Sequence, residues 1–344
     1  MIVCNGRCLS QATTGIQRYT GEIARRIPDM AVIGPARPAG QARGILWEQT
    51  VLPLRARDRL IWSPSNTAPL IARAPLVVTL HDLAMLEGPD ADAAPGWTRF
   101  YRWFIPRMLK RVDAVLTVSE YSRRAIIERF DLAPDRILAT PLGVDHDRFR
   151  PAEPEALDRF CTAHTLTPGY VLSVGSGSAR KNLRGLIEAW AAIAPRIDDR
   201  IELVIAGDAA AYGRAFDGSE IPPLPPRSRL VGRIEDAELP LLMAGAGVFA
   251  FPSFAEGFGL PPLEAMACGT PAIVSDVTSL PEVVGDAALL VDPHDTSALG
   301  DALVRLLSDS ELRAHLRAAG LERARRFDWD ETARLTHAFL KRFA

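Results

Sequence analysis

PSFAEGFGLPPLEAMACGTP, residues 252–271, begins where the apolar run 248–252 ends, and its residue types change within a few positions. Gly257 and Gly259 let the backbone turn tightly and approach a ligand. Pro261 and Pro262 suit the first turn of a helix. Gly269 is placed to end that helix after about residue 268. The stretch therefore predicts a buried strand, a tight turn and a helix, the repeating unit of a parallel α/β sheet. Free amides at the helix start would face an anion. Glu256 stands before the helix and Glu264 within it, so two carboxylates can accept hydrogen bonds from different hydroxyls. Glu256 suits a sugar, and Glu264 a ribose diol. Taken alone, two glutamates at this spacing read as solvated side chains on a turn and a helix.

The same alternation extends outward over the chain. Apolar runs at 2–5, 31–34, 60–63, 76–81, 114–119 and 136–140 read as strands in the first half. Runs at 170–175, 201–207, 229–232, 248–252, 272–275 and 288–291 do so in the second. They are continuously apolar, as expected for parallel strands covered on both faces. Helical patterns over 15–27, 97–110 and 121–130 fall between strands of the first half. Arg150-Pro151-Ala152-Glu153-Pro154 reads as a linker. The expectation is α/β throughout, with two Rossmann-like, doubly wound domains, 1–150 and 151–327, facing a central cleft. A last helix, 328–344, would cross back to the first domain. A chain of 344 residues is long enough for two such cores.

A net charge of −2 argues against general nucleic-acid binding. Cys4, Cys8, Cys161 and Cys268 are too scattered for a disulfide framework, and no His cluster completes a zinc site around Cys4 and Cys8. Reduced thiols in a cytoplasmic protein fit this pattern. Ile2-Val3-Cys4 predicts a short strand, and with no basic stretch followed by a longer apolar run a signal peptide is not expected. Its longest apolar stretch, 241–252, is too short to cross a bilayer.

Other strand ends carry chemistry. Gly175-Ser176-Gly177-Ser178-Ala179-Arg180-Lys181-Asn182 follows a strand and precedes a helix. Arg180 offers a planar fork and Lys181 a point charge, a pair able to neutralise a diphosphate. Ala206-Gly207-Asp208 closes the next strand, and Leu230-Val231-Gly232-Arg233-Ile234 the one after it. In the first half, Ala12-Thr13-Thr14-Gly15-Ile16-Gln17-Arg18-Tyr19 forms a glycine-containing loop, and Thr79-Leu80-His81-Asp82 ends a strand. His81 alone would be read as a strand-end histidine bonded to a neighbour.

Together these segments resemble the retaining GT-B glycosyltransferases of the family-4 type, the glycosyl transferases group 1. The Pro-Ser, Glu-Gly-Phe-Gly-Leu and Glu-Ala-Met-Ala-Cys-Gly-Thr-Pro pieces of 252–271 carry the resemblance, and the remaining segments follow in the expected order. Val118-Ser119-Glu120-Tyr121-Ser122 and Pro141-Leu142-Gly143-Val144-Asp145 extend it, with Leu142 where such proteins usually have Asn. The resemblance implies His81, Glu256, Arg180 and Lys181 as catalytic residues. It implies a donor site of Gly15, Gly175, Arg180, Lys181, Gly207, Gly232, Arg233, Glu256, Gly257, Phe258, Gly259, Leu260 and Glu264. Gly232 and Arg233 would meet the nucleobase, Gly15 the donor from the opposite wall, and His81 the transferred sugar. It further implies retention of anomeric configuration by front-face attack, with the leaving phosphate helping to deprotonate the acceptor.

Positive groups around the departing diphosphate can stabilise it without a metal. The D-x-D strings Asp90-Ala91-Asp92, Asp145-His146-Asp147 and Asp328-Trp329-Asp330 lie outside the donor segments and read as solvated or structural. No metal and no cofactor are expected, the nucleotide-sugar being a substrate. Trp47-Glu48-Gln49 with Leu52-Pro53, and Ser63-Pro64-Ser65-Asn66, resemble polysaccharide-building mannosyl- and rhamnosyltransferases, which points to GDP-mannose. The expected acceptor is a saccharide or lipid-linked saccharide. Residues 97–111 interleave Arg99, Arg102, Arg107, Lys110 and Arg111 with five aromatics and no acid. They read equally as a core helix with solvated arginines or as a peripheral contact with the inner membrane face. Competing readings are a UDP- or dTDP-sugar transferase, a nucleotide-sugar epimerase and a non-catalytic nucleotide-sugar-binding protein. A dinucleotide oxidoreductase fits poorly, because Arg180 stands where its third fingerprint glycine belongs.

Overall fold

The computed structural model describes residues 1–10, 15–38, 40–87, 94–175, 178–207 and 224–344. The chain forms two compact units. The first comprises Met1–Glu87, Ala94–Gly143 and Phe327–Ala344, and the second contains Val144–Arg326.

In the first unit the strands are β1 (Ile2–Asn5), β2 (Met30–Ile33), β3 (Ile61–Ser63), β4 (Leu76–Thr79), β5 (Ala114–Thr117) and β6 (Ile137–Ala139). Its helices are α1 (Gly15–Arg26), α2 (Gln41–Ala56), α3 (Pro95–Arg111) and α4 (Glu120–Phe130). The sheet order is β2-β1-β3-β4-β5-β6 and every pairing is parallel. Strands β1, β3, β4 and β5 are buried along their whole length, which explains their uninterrupted apolar runs.

The second unit has β7 (Tyr170–Val174), β8 (Leu203–Ala206), β9 (Ser228–Gly232), β10 (Ala246–Phe251), β11 (Ala272–Ser275) and β12 (Ala288–Val291). Helices α5 (Pro154–His164), α6 (Leu183–Ile193), α7 (Leu239–Ala244), α8 (Leu260–Ala267), α9 (Leu280–Val284), α10 (Thr296–Ser308) and α11 (Ser310–Ala324) accompany them. This sheet runs β12-β11-β10-β7-β8-β9, again all parallel. Strand order reverses between β7 and β10, and in the first sheet between β1 and β3. Such switch points open a crevice beyond the strand ends, where sheets of this kind bind ligands.

The last helix, α12 (Trp329–Leu340), belongs to the first unit. His337 pairs with Asp29 at 2.7 Å and Arg26 with Asp330 at 2.5 Å. A Cβ on Gly143 would lie 2.2 Å from the Trp329 amide nitrogen, so α12 starts against the end of the first unit's main segment. The unit boundary, at Gly143/Val144, precedes the Arg150-Pro151 stretch. The intervening residues are anchored to the second unit, where Phe149 is buried and Arg148 pairs with Asp236 at 3.2 Å.

Candidate active site

The loop after β10 carries Glu256, and the turn after β7 carries Arg180 and Lys181. Because β7 and β10 are neighbours, the two meet at the switch point. The turn is a short 3-10 helix, Ala179–Lys181, and not the first turn of α6. Asn182, at φ 52°, separates the two and caps α6 by accepting from the Gly185 amide at 3.2 Å. Its amide also donates to the Pro293 carbonyl at 2.7 Å, which pins the turn.

Lys181 Nζ donates to Glu256 Oε1 at 2.7 Å, and Arg180 Nη1 pairs with Glu256 Oε2 at 2.9 Å. Arg180 also donates to the Ala255 carbonyl, and its own carbonyl accepts from the Phe254 amide at 2.8 Å. Lys181 Nζ sits 4.5 Å from the Phe251 ring centre, a cation–π contact. Burial opposes ionisation of Glu256. The adjacent Lys181 and Arg180 cations outweigh it and hold the carboxyl below its usual range. Two cations and one carboxylate leave a net positive charge where the strands end.

The loop after β11 fixes this arrangement. Thr278 Oγ1 accepts from the Glu256 amide at 3.0 Å. Ser279 Oγ contacts the Glu256 and Phe258 carbonyls at 2.8 and 2.9 Å. Neither residue was marked by the sequence reading. Their signal was a polar pair three and four residues past β11, the strand that neighbours β10.

Gly259 caps α8 at φ 112°, where a Cβ would also collide with Leu280 at 2.7 Å. Gly269 ends the segment at φ 79°, with the Thr270 amide reaching back to the Ala265 carbonyl at 2.9 Å. The helix start offers fewer donors than the sequence reading expected. Leu260 keeps its N–H, but Pro261 and Pro262 at the next two positions have none. Positive charge here comes chiefly from Arg180 and Lys181. Glu264 is buried within α8. Burial, and then the Glu264 charge, push the Cys268 thiol up to about 12.

Gly175, Gly207 and Gly232 form a row at the ends of β7, β8 and β9. The Gly175 amide donates to Ala206 O at 3.1 Å and the Gly207 amide to Gly232 O at 2.9 Å. A Cβ on Gly207 would stand 2.2 Å from the Gly175 carbonyl oxygen, so the strand ends close up only with glycine there. Gly232 has φ 74° and open space around its Cα, and Arg233 beyond it is exposed. Ser176, Gly177 and Asp208 lie outside the described residues.

In the first unit, His81 follows β4 and is 8% exposed. Its amide donates to Asn66 Oδ1 at 2.8 Å. Its Nε2 lies 2.8 Å from the Pro64 carbonyl oxygen. A carbonyl only accepts, so Nε2 carries the proton and Nδ1 is the acceptor of the neutral ring. Burial lowers the His81 pKa, which keeps the ring neutral at neutral pH. Tyr19 packs edge-on at 5.0 Å. Gly15 opens α1; Ala12, Thr13 and Thr14 of the same predicted loop lie outside the described residues.

Two D-x-D strings have structural roles. Asp145 accepts from the Arg148 amide at 3.2 Å. Asp328 caps α12, and Asp330 pairs with Arg26. Asp90-Ala91-Asp92 is outside the described residues.

Two parallel α/β units, one with a cation pair and a carboxylate at its switch point, have the GT-B architecture. Anabaena Alr3699/HepE, solved in complex with UDP-glucose, shares this fold with a TM-score of 0.79 over 99% of both chains at 20% identity. The family described as Glycosyl transferases group 1 matches residues 155–323, and Glycosyltransferase Family 4 matches residues 58–148. The O-antigen chain mannosyltransferase B of Escherichia coli is 36% identical over 260 residues, covering 74% of this chain and 67% of that one. A serotype-specific mannosyltransferase WbdA of Escherichia coli is 30% identical over 275 residues, covering 75% of this chain. The chain spans only 32% of that larger relative's length. The chain belongs to the group 1, family-4 glycosyltransferases, and it is a glycosyltransferase.

Proposed function

We propose that this enzyme moves mannose from GDP-mannose to a saccharide or lipid-linked saccharide acceptor, with retention of configuration and without a metal. The Arg180–Lys181–Glu256 cluster at the β7/β10 switch point carries the reading. Arg180 and Lys181 would take the charge that develops on the departing diphosphate, and being already ordered they need little reorganisation. Glu256, ionised and fixed by Thr278 and Ser279, would accept hydrogen bonds from sugar hydroxyls. Glu264 would accept from the ribose, and Gly232 and Arg233 would meet the base. His81 would offer Nδ1 to a hydroxyl of the transferred sugar. Front-face attack needs no covalent role for Glu256, because the leaving phosphate oxygen can take the acceptor proton. The mannosyltransferase names of two relatives favour mannose, whereas the UDP-glucose in the HepE structure keeps a UDP-sugar as the competing donor.

A thermal-shift panel of GDP-mannose, UDP-glucose and a dTDP-sugar tests the donor, since a ligand held by the folded state raises Tm by mass action. GDP-mannose is expected to give the largest rise. A larger rise with UDP-glucose would reassign the nucleotide.

A membrane-facing role for α3 fits its two sides. Phe104, Ile105, Met108 and Leu109 are buried. Arg99, Arg102, Trp103, Arg107 and Lys110 are exposed, with Arg107 stacked 4.6 Å over Trp103. A basic face with an exposed aromatic suits anionic headgroups beside a lipid-linked acceptor. Among the described residues, no helix is long and apolar enough to cross a membrane.

A further inference from the structure

The first sheet has its own switch point, between β1 and β3, and a buried charged network fills it. Glu48 on α2 is fully buried. Its Oε2 accepts from Asn5 Nδ2 at 2.7 Å and from Thr67 Oγ1 at 2.9 Å, and faces Arg7 Nε at 3.3 Å. Its Oε1 accepts from Gln49 Nε2 at 3.1 Å. Arg7, 7% exposed, donates through Nη2 to Thr67 Oγ1 at 2.9 Å and Ser65 Oγ at 3.3 Å. Such a network is costly to bury, and removing one charge leaves the other uncompensated. A packed apolar contact would hold α2 on the sheet at lower cost, so the placement of the charges asks for another reason.

That reason is the segment the network grips. Ser65 and Thr67 belong to the stretch after β3 that also contains Pro64 and Asn66. Pro64 O accepts the His81 Nε2 proton, and Asn66 Oδ1 accepts the His81 amide. Asn66 is itself held at φ 63° by its amide bond to Thr79 O at 3.0 Å. The network fixes one side of each residue pair, and His81 is bonded to the other. We infer that Glu48 and Arg7 are positioning residues for His81, acting through Ser65 and Thr67 to fix its ring orientation and its Nε2–H tautomer. The inference rests on the reading of His81 as a sugar-facing group only where it predicts turnover. The tautomer can be read without any substrate.

Thr67→Val removes the hydroxyl that both Arg7 and Glu48 use while nearly keeping the shape, and Thr67→Ser restores it. Glu48→Gln removes the charge and is the harsher variant. Each is made in the full chain labelled with ¹⁵N-histidine, and the His81 signal is assigned by its loss in His81→Gln. In the unchanged chain, two-bond proton–nitrogen spectra should show one tautomer, protonated at Nε2. Thr67→Val should give mixed tautomers or exchange broadening at His81 alone, with far-ultraviolet circular dichroism unchanged, and Thr67→Ser should restore the single form. With GDP-mannose, kcat should fall about 10- to 100-fold in Thr67→Val while KM moves by less than about twofold. A His81 signal that stays in the single Nε2–H form in folded Thr67→Val and Glu48→Gln would overturn the inference. A changed tautomer with unchanged kcat would instead uphold the positioning and remove His81 from the site.

Discussion

Lys181 Nζ and Glu256 Oε1 stand 2.7 Å apart across a sequence separation of 75 residues, and both lie at the ends of neighbouring parallel strands. A family signature places these residues in one site. The structure adds that the carboxylate is bonded to both cations. On the proposed function, a diphosphate would meet a cluster with one net positive charge instead of two free cations.

This pairing alters what Glu256→Ala does. A glutamate on a solvated turn would cost activity alone. Glu256 is 9% exposed and pairs with two largely buried cations, so its removal should also cost about 1–3 kcal/mol of stability. Urea unfolding of Glu256→Ala, Lys181→Ala and the double variant should give a double smaller than the sum of the singles. Turnover should fall by on the order of 100-fold or more in each. Strict additivity would show that the pair is not coupled.

The glycine row makes a contrasting pair of substitutions. Gly207→Ala drives a Cβ to 2.2 Å from the Gly175 carbonyl oxygen and forces the strand ends apart. It should cost about 1–3 kcal/mol and weaken nucleotide binding. Gly232→Ala meets no atom within 4 Å but strains a backbone at φ 74°. Its cost should stay near 1 kcal/mol. Melting curves with and without GDP read both effects, and the reverse order would show that the row is set by something other than contact with Gly175.

Two groups of the candidate site, Glu256 and His81, contribute to the acid limb. An unfolded glutamate has a pKa of about 4.3 and a histidine about 6.5. Glu256 is depressed when folded, so its contribution to stability is present above the unfolded value and fades as pH falls through the lower folded one. Burial depresses His81 likewise, so the folded chain resists its protonation and loses stability on that account as pH falls below the unfolded value. The profile of kcat/KM should therefore stay flat to below the ordinary histidine range. A loss of activity centred near pH 6.5 that disappears in His81→Gln would contradict the buried, neutral ring.

The exposed face of α3 makes a lipid-specific prediction. The protein should float with vesicles containing anionic phospholipid at low salt and lose that binding as salt rises. Trp103→Ala with Lys110→Glu should abolish flotation and leave the fold intact, since both side chains are exposed. Equal flotation with neutral vesicles would point to another mode of attachment.

The strands were legible because parallel strands buried on both faces are written as unbroken apolar runs; β1 and β11 begin and end where the residues indicate. Their boundaries were blurred where a strand ends in a functional loop, as at β4, which stops at Thr79 before His81. Glu256, Arg180 and Lys181 were legible through their motifs. Glu48 was quoted but not given a role, because its partners Asn5 and Thr67 are distant in sequence. A local signal was present. Ile45, Glu48, Leu52 and Ala56 share the buried face of α2, at the spacing of one helical stripe. A charge inside an apolar stripe calls for a buried partner. The 3-10 turn at Ala179–Lys181 was not legible, since only the left-handed Asn182 separates it from α6.

Calorimetric titration of GDP and of GMP into the unchanged chain and into Lys181→Ala tests the diphosphate contact most directly. If Arg180 and Lys181 bind the terminal phosphate, GDP should bind the unchanged chain at least about tenfold tighter than GMP, or ~1.4 kcal/mol. That preference should largely disappear in Lys181→Ala. Equal affinity for the two nucleotides, or a preference that survives the substitution intact, would contradict the site.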